Sequence, residues 1–189
     1  ARREANVDEV NALNVFPVPD SDTGTNMLAT VKAALEEADK AGAGADAERI
    51  AQAASFGALM GARGNSGVIT SQIFKGIEAG MAGKRRFNGL DLAHALDLGA
   101  KTAYKAVARP VEGTILTVIR EAAAAAVIAA ERDNNVESVL AAVVEANHDE
   151  KGICWPVNTA PYEVVVSVVK PTDVACHEAG EALYEKLKG

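Results

Sequence analysis

Residues 14–42 read NVFPVPDSDTGTNMLATVKAALEEADKAG, and a switch inside this stretch decides the fold. Pro17 and Pro19 remove backbone donors and push the residues before them towards extended conformations, so residues 14–22 cannot be helix. From Thr23 onward the pattern reverses. Thr23 and Thr25 are good helix N-caps, and Met27, Val31, Ala34, Leu35 and Ala38 then recur at helical spacing up to Gly42. The stretch is a constrained loop that delivers two carboxylates, Asp20 and Asp22, to the start of a helix.

Helix signals continue on both sides of it. Residues 4–13 form a short helix before the loop. Asp46 caps a third helix that ends near Gly61. Ser66 opens a fourth, with Val68, Ile69, Ile73 and Ile77 on its apolar side. Residues 90–107, 112–131 and 136–146 give three more. Residues 164–169 have strand propensity, but a single strand lacks a partner, so the stretch reads as helix or irregular. Residues 178–187 form a last helix. The expectation is an all-α fold, an antiparallel up-and-down bundle of about eight helices without internal repeat.

Composition agrees. Alanine is abundant and aromatics are only 4% of the 189 residues, which favours close helix packing over a large-side-chain core. The length suits one domain over residues 1–189, or one domain of a longer protein. A net charge of −7 argues against nucleic acid, because phosphate contacts need clustered Lys and Arg. The short basic run Lys84-Arg85-Arg86 reads as a solvated loop. Cys154 and Cys176 make neither a disulfide framework nor a metal site, which points to a reducing, cytoplasmic setting. No 18-residue apolar run predicts a transmembrane segment. Arg120 and Glu131 bracket the alanine-rich run at 122–130 too closely for a span.

Three loop-to-helix junctions carry chemistry. In the first, Asp20 and Asp22 can converge on a hard cation, and the following helix start offers N–H groups and a positive dipole end to phosphate. The bland alternative is that the aspartates only cap the helix. The second, residues 61–67, reads GARGNSG. Its glycines permit close backbone approach, Arg63 offers a charge, and Ser66 begins a helix. It lacks the Lys-Ser/Thr end of a Walker A loop, and it reads equally well as a plain interhelical connection. The third, residues 109–114, reads RPVEGT and places Thr114 at a helix start. Here Pro110 and Glu112 also fit ordinary helix-start preferences. Spacing of about 40–45 residues leaves two helices between junctions, so an up-and-down bundle brings all three to one end.

The histidines add nothing. His94 reads as a packing residue, His148 as part of a polar turn, and His177 has only Cys176 beside it. No nucleophile–base arrangement is visible, and phosphoryl transfer need not use one.

Residues 14–27 resemble the NVFPVPDGDTGTNM signature of the nucleotide-binding domain of bacterial fatty-acid kinases. That domain shares a superfamily with the L subunit of dihydroxyacetone kinase. Residues 61–74, GARGNSGVITSQIF, and 110–118, PVEGTILTV, resemble the family's second and third segments. The resemblance covers residues 5 to about 130. It implies an eight-helix antiparallel barrel with ATP or ADP at one end. Asp20 and Asp22 would be the catalytic pair that holds Mg²⁺, with Asn14 standing where the L subunit has a third aspartate. Thr23, Thr25, Asn26, Ser66, Gly67 and Thr114 would line the nucleotide pocket, and Arg63 would touch phosphate.

The implied reaction is phosphoryl transfer from ATP to a fatty-acid carboxylate presented by a separate acyl-binding protein. Dihydroxyacetone phosphorylation and a non-catalytic nucleotide-binding module are the alternatives. Oligomeric state stays open, a homodimer included. Two departures stand out. Ser21 replaces the family's glycine between the aspartates, at a cost of about 1 kcal/mol if that turn needs positive φ. Residues 174–180, VACHEAG, lose the aspartate of the family's C-terminal segment.

Overall fold

The computed structural model describes residues 7–14, 20–42, 44–146, 148–149 and 152–153. All fall in the first of two compact units, residues 1–155. They form seven helices: α1 (Val7–Ala12), α2 (Thr23–Lys40), α3 (Ala47–Gly61), α4 (Gly64–Gly80), α5 (Gly89–Ala106), α6 (Ile115–Arg132) and α7 (Val136–Glu145). A minimal antiparallel pair, β1 (His148–Asp149) and β2 (Gly152–Ile153), follows, with His148 opposite Ile153. His148 thus lies in a strand rather than in a turn. The segments expected at 164–169 and 178–187 lie outside the described residues, as do Cys154, Cys176 and His177.

Local chemistry explains most helix ends. The Asp46 carboxylate accepts from Arg49 N at 2.9 Å and starts α3. Asn88 and Asp91 form a reciprocal capping box at the start of α5. Asn135 accepts from Glu137 N and Ser138 N to start α7. The Lys84-Arg85-Arg86 run is indeed an interhelical loop, but it also serves a helix end. The Arg85 and Lys84 carbonyls accept from Ala47 N and Glu48 N, the first amides of α3. Lys84 pairs with Asp91 at 2.7 Å.

Consecutive long helices pack antiparallel through small residues. Ala33 of α2 meets Gly57 and Gly61 of α3. Between α4 and α5, a Cβ on Gly76 would fall on the Leu98 carbonyl, and one on Gly80 would lie 2.5 Å from Ala95 Cα. The buried interior is mostly alanine: Ala34, Ala58, Ala93, Ala103, Ala126 and others. The largest fully buried side chains are Leu116, Val139, Thr30, Thr117 and Ser71. The last three are hydroxyls, and each donates to a neighbour, as buried polar groups must.

This interior corrects two readings of helix faces. Val68 is 49% exposed and Leu35 44% exposed, whereas Gly67, Thr70 and Ser71 face inward on α4. Helices that approach this closely exclude branched side chains from the contact line, so bulky residues move to its flanks. His94 is likewise exposed on α5 rather than packed. No helix among the described residues is long and apolar enough to cross a membrane. The run at 122–130 buries Ala122, Ala123, Ala126 and Ala130 and exposes Val127 and Ile128.

Candidate functional site

Antiparallel packing puts the starts of α2, α4 and α6 at one end. Each then deals differently with its unsatisfied N–H groups.

At α2 the cap comes from another helix. Asp22 precedes the helix but its side chain does not cap it. Instead Asn11 of α1 reaches across. Its Oδ1 accepts from Gly24 N at 2.8 Å and from Thr25 N at 3.2 Å, and its Nδ2 donates to Thr25 Oγ1 at 3.1 Å. Gly24 allows this approach, because a Cβ there would meet the Val7 carbonyl at 2.7 Å. The expectation that α2 offers free amides to phosphate therefore needs correcting, since two are already bonded. Sequence reading missed Asn11 altogether. Its only signal is that it is a polar residue on a short helix adjoining the loop.

The two aspartates differ in exposure, and Asp22 is half-buried. Asp20 is exposed and accepts from Asn14 Nδ2 at 2.7 Å, so the structure does bring Asn14 to the pair. Ser21 between the aspartates has φ +54°, the left-handed turn whose cost the sequence raised. No cluster of three or more His, Cys, Asp or Glu side chains occurs among the described residues, so Asp20 and Asp22 stand as a pair.

At α4 the start is open. The helix begins at Gly64, two residues before the expected Ser66, and no side chain caps it. The amides of Gly64, Asn65 and Ser66 lack intrahelical partners. Gly64 has φ +58°, and a Cβ there would collide with the Asn26 side-chain amide and lie 3.7 Å from Asp22 Oδ2. Gly67 is buried, where a Cβ would meet Thr30 Oγ1 at 2.8 Å. These two glycines seat the second loop directly on the first. Asn26 is only 8% exposed, and its side chain makes no hydrogen bond to the described residues. A buried amide without a partner among the described residues is a group that a polar ligand could satisfy. Arg63 is exposed beside it.

At α6 the start is sealed by its own loop. The helix begins at Ile115 and not at Glu112. Thr114 Oγ1 donates to the Val111 carbonyl at 2.8 Å and accepts from Leu116 N at 3.3 Å. Glu112 accepts from Thr117 Oγ1 at 2.6 Å and Tyr104 OH at 3.0 Å, and pairs with Arg120 at 2.7 Å. The Thr117 hydroxyl, then Tyr104 and Arg120, hold Glu112 below the ordinary carboxylate value against the opposing pull of partial burial. Thr114 therefore lies at the same end as the other two loops, but its hydrogen bonds are local.

Thr23 is half-buried and Thr25 exposed at the start of α2, and Ser66 is half-buried at the start of α4. The structure thus brings Asp20, Asp22, Asn14, Asn26, Arg63, Ser66 and Gly67 into two adjoining loop-to-helix junctions. What results is an all-helical domain with a polar end that holds two carboxylates, a helix start without a side-chain cap and a buried amide without a partner among the described residues.

Known proteins give that class a family. The DAK2 domain matches residues 17–152, and the chain belongs to this family, which is related to dihydroxyacetone kinases of the nucleotide-binding L-subunit type. Protein YloV of Bacillus subtilis is 48% identical over 140 residues, 74% of this chain and 25% of that protein. Uncharacterized protein SH1689 of Staphylococcus haemolyticus is 48% identical over 142 residues, 75% of this chain and 26% of its own length. Uncharacterized protein SAB1090 of Staphylococcus aureus is 47% identical over 135 residues, 71% and 24%. The matched part of the chain thus spans about a quarter of the length of these relatives.

Proposed function

We propose that residues 1–189 are the Mg-ATP-binding domain of a longer kinase, folded as an eight-helix antiparallel barrel. The observation that carries this reading is the seating of Gly64 against Asn26 and Asp22. It joins an uncapped helix start to a pair of carboxylates. A phosphate chain with its cation needs that combination.

Asp20 and Asp22 would hold Mg²⁺, with Asn14 beside Asp20, and the ion would offset charge on the phosphates. The amides at the start of α4 donate to phosphate oxygens, and Arg63 adds a positive charge. The Asn26 amide and the hydroxyls of Thr23, Thr25, Ser66 and Thr114 orient the nucleotide, with Gly67 letting the start of α4 pack against Thr30. Thr25 Oγ1 already accepts from Asn11, so its proton is left to donate. Such preorganised donors stabilise charge that develops during phosphoryl transfer.

The acceptor is a fatty-acid carboxylate presented by a separate acyl-binding protein in the cytoplasm. A carboxylate oxygen attacks the γ-phosphorus, the bond to the bridging oxygen breaks, and acyl phosphate and ADP result. A homodimer is compatible with this scheme. A second reading is a regulatory module that binds nucleotide without turnover. It is favoured by the strained Ser21 and by the neutral Asn14 at Asp20.

Titration of Mg-ATP into the chain and into the Asp20→Ala/Asp22→Ala variant tests the site. Mg²⁺-dependent binding by wild type, lost in a folded variant, is the expected result. Equal binding by both, or binding by neither, sinks the aspartate assignment. ADP release with fatty acid on its carrier, but not with dihydroxyacetone and its substrate subunit, supports the acyl acceptor. Binding without turnover under either condition supports the regulatory module.

A further inference from the structure

The hub at the start of α6 involves a motif residue that the nucleotide site has not used. Glu112 gathers three donors from two helices: Tyr104 OH of α5, and the Thr117 hydroxyl and Arg120 guanidinium of α6. Thr117 is fully buried and in turn accepts from Gly113 N at 2.9 Å. Arg120 also donates to Tyr104 OH at 3.2 Å, closing a ring of Glu112, Tyr104 and Arg120. These bonds hold Glu112 by its side chain and Gly113 by its amide, the two residues that lead into Thr114. Thr114 starts α6 at the same end as the aspartate loop.

A half-exposed ion pair alone contributes little to stability. Glu112 is 45% exposed and Arg120 43% exposed, so simple stabilisation is a weak account of so many converging bonds. Holding a short loop in one geometry is a better one, because three donors on a single carboxylate define its position and direction.

We infer that Glu112 is a positioning residue for nucleotide binding, fixing the backbone that presents Thr114. The inference rests on the kinase reading above. It differs from a structural role in a measurable way: Glu112 acts through Thr114, so its effect on ligand affinity vanishes once the Thr114 hydroxyl is gone.

A double-mutant cycle on the 189-residue chain reads this out. Mg-ATP affinity is measured by calorimetry for wild type, Glu112→Ala, Thr114→Ala and the double variant, with Glu112→Gln as the conservative control. We expect Glu112→Ala to weaken binding about tenfold alone and less than about twofold in the Thr114→Ala background. Glu112→Gln keeps one of the two acceptor oxygens, and its amide N–H can donate to the hydroxyl that loses its acceptor, so it should retain most of the affinity. Equal losses in both backgrounds, or no loss in either, overturn the inference. If Glu112→Ala fails to fold, Tyr104→Phe and Thr117→Val each remove one donor and are run through the same cycle with the same criterion. Wild type that does not bind Mg-ATP refutes the nucleotide reading itself. Wild type that binds while Thr114→Ala binds equally well overturns only the role given to Glu112.

Discussion

The starts of α2 and α4 adjoin one another and solve the same problem in opposite ways. Both leave N–H groups without intrahelical partners. At α2, Asn11 arrives from a different helix and takes two of them. At α4, no side chain arrives, and a left-handed glycine brings the open end against Asn26 and Asp22. One start is closed by protein, and the other is kept for something else. The difference teaches that a helix start in sequence does not by itself mean free amides, because a side chain from another helix can claim them.

Three substitutions break or sharpen this contrast. Gly64→Ala should have the largest effect. It adds left-handed strain and a steric clash with Asn26, together about 2–4 kcal/mol, and Mg-ATP affinity should fall at least about tenfold. Gly83→Ala is the control, since Gly83 has φ +72° with nothing within 4 Å of its would-be Cβ. It carries the strain alone, so thermal melts and titrations of the two variants separate strain from contact. Equal nucleotide binding by both would mean that the seat between the loops is not the ligand site.

Asn11→Ala comes next. Loss of the cap should cost about 1 kcal/mol, a Tm drop of roughly 2–4 °C for a chain of this size. Hydrogen exchange at Gly24 and Thr25 should quicken, while the amides at the start of α4 stay unchanged. Unaltered exchange at both α2 amides would show that Asn11 is not the cap.

The smallest effect is a gain. Ser21→Gly relieves the turn at φ +54° and should stabilise the chain by up to about 1 kcal/mol, read as a modest rise in Tm. A fall in Tm would mean that the Ser21 side chain makes a compensating contact.

Which features could be read from sequence follows from where their causes lie. Asp46 announces the start of α3 because the capping side chain adjoins the helix it caps. Pro17 and Pro19 anticipate a break before α2 for the same local reason, and the described residues 20–22 are non-helical. The shared end of the three junctions followed from counting helices between them. Asn11 was invisible because its partners lie thirteen and fourteen residues away on another helix. Glu112 looked like a first-turn acid, a role it fits by type, and only the fold shows it turned back onto Tyr104, Thr117 and Arg120. The faces of α4 were misread because periodicity weighs Ile and Val, whereas this interior selects for smallness. Gly67, Thr70 and Ser71 carry no hydrophobic signal that a pattern could detect.

That interior has a consequence for where order resides. Alanine and glycine have no rotamers to freeze, so packing Ala93, Ala103, Ala126 and their neighbours costs almost no side-chain entropy. The long, many-rotamer side chains of Arg63 and Arg120 lie outside this interior, at or near the polar end. Folding therefore orders the bundle interior at little side-chain cost and leaves conformational freedom to the exposed long side chains, Arg63 at the open start of α4 among them. A ligand bound there would lose its own motion to a frame already at rest, and the ordering still to be done would be confined to a few side chains at that end.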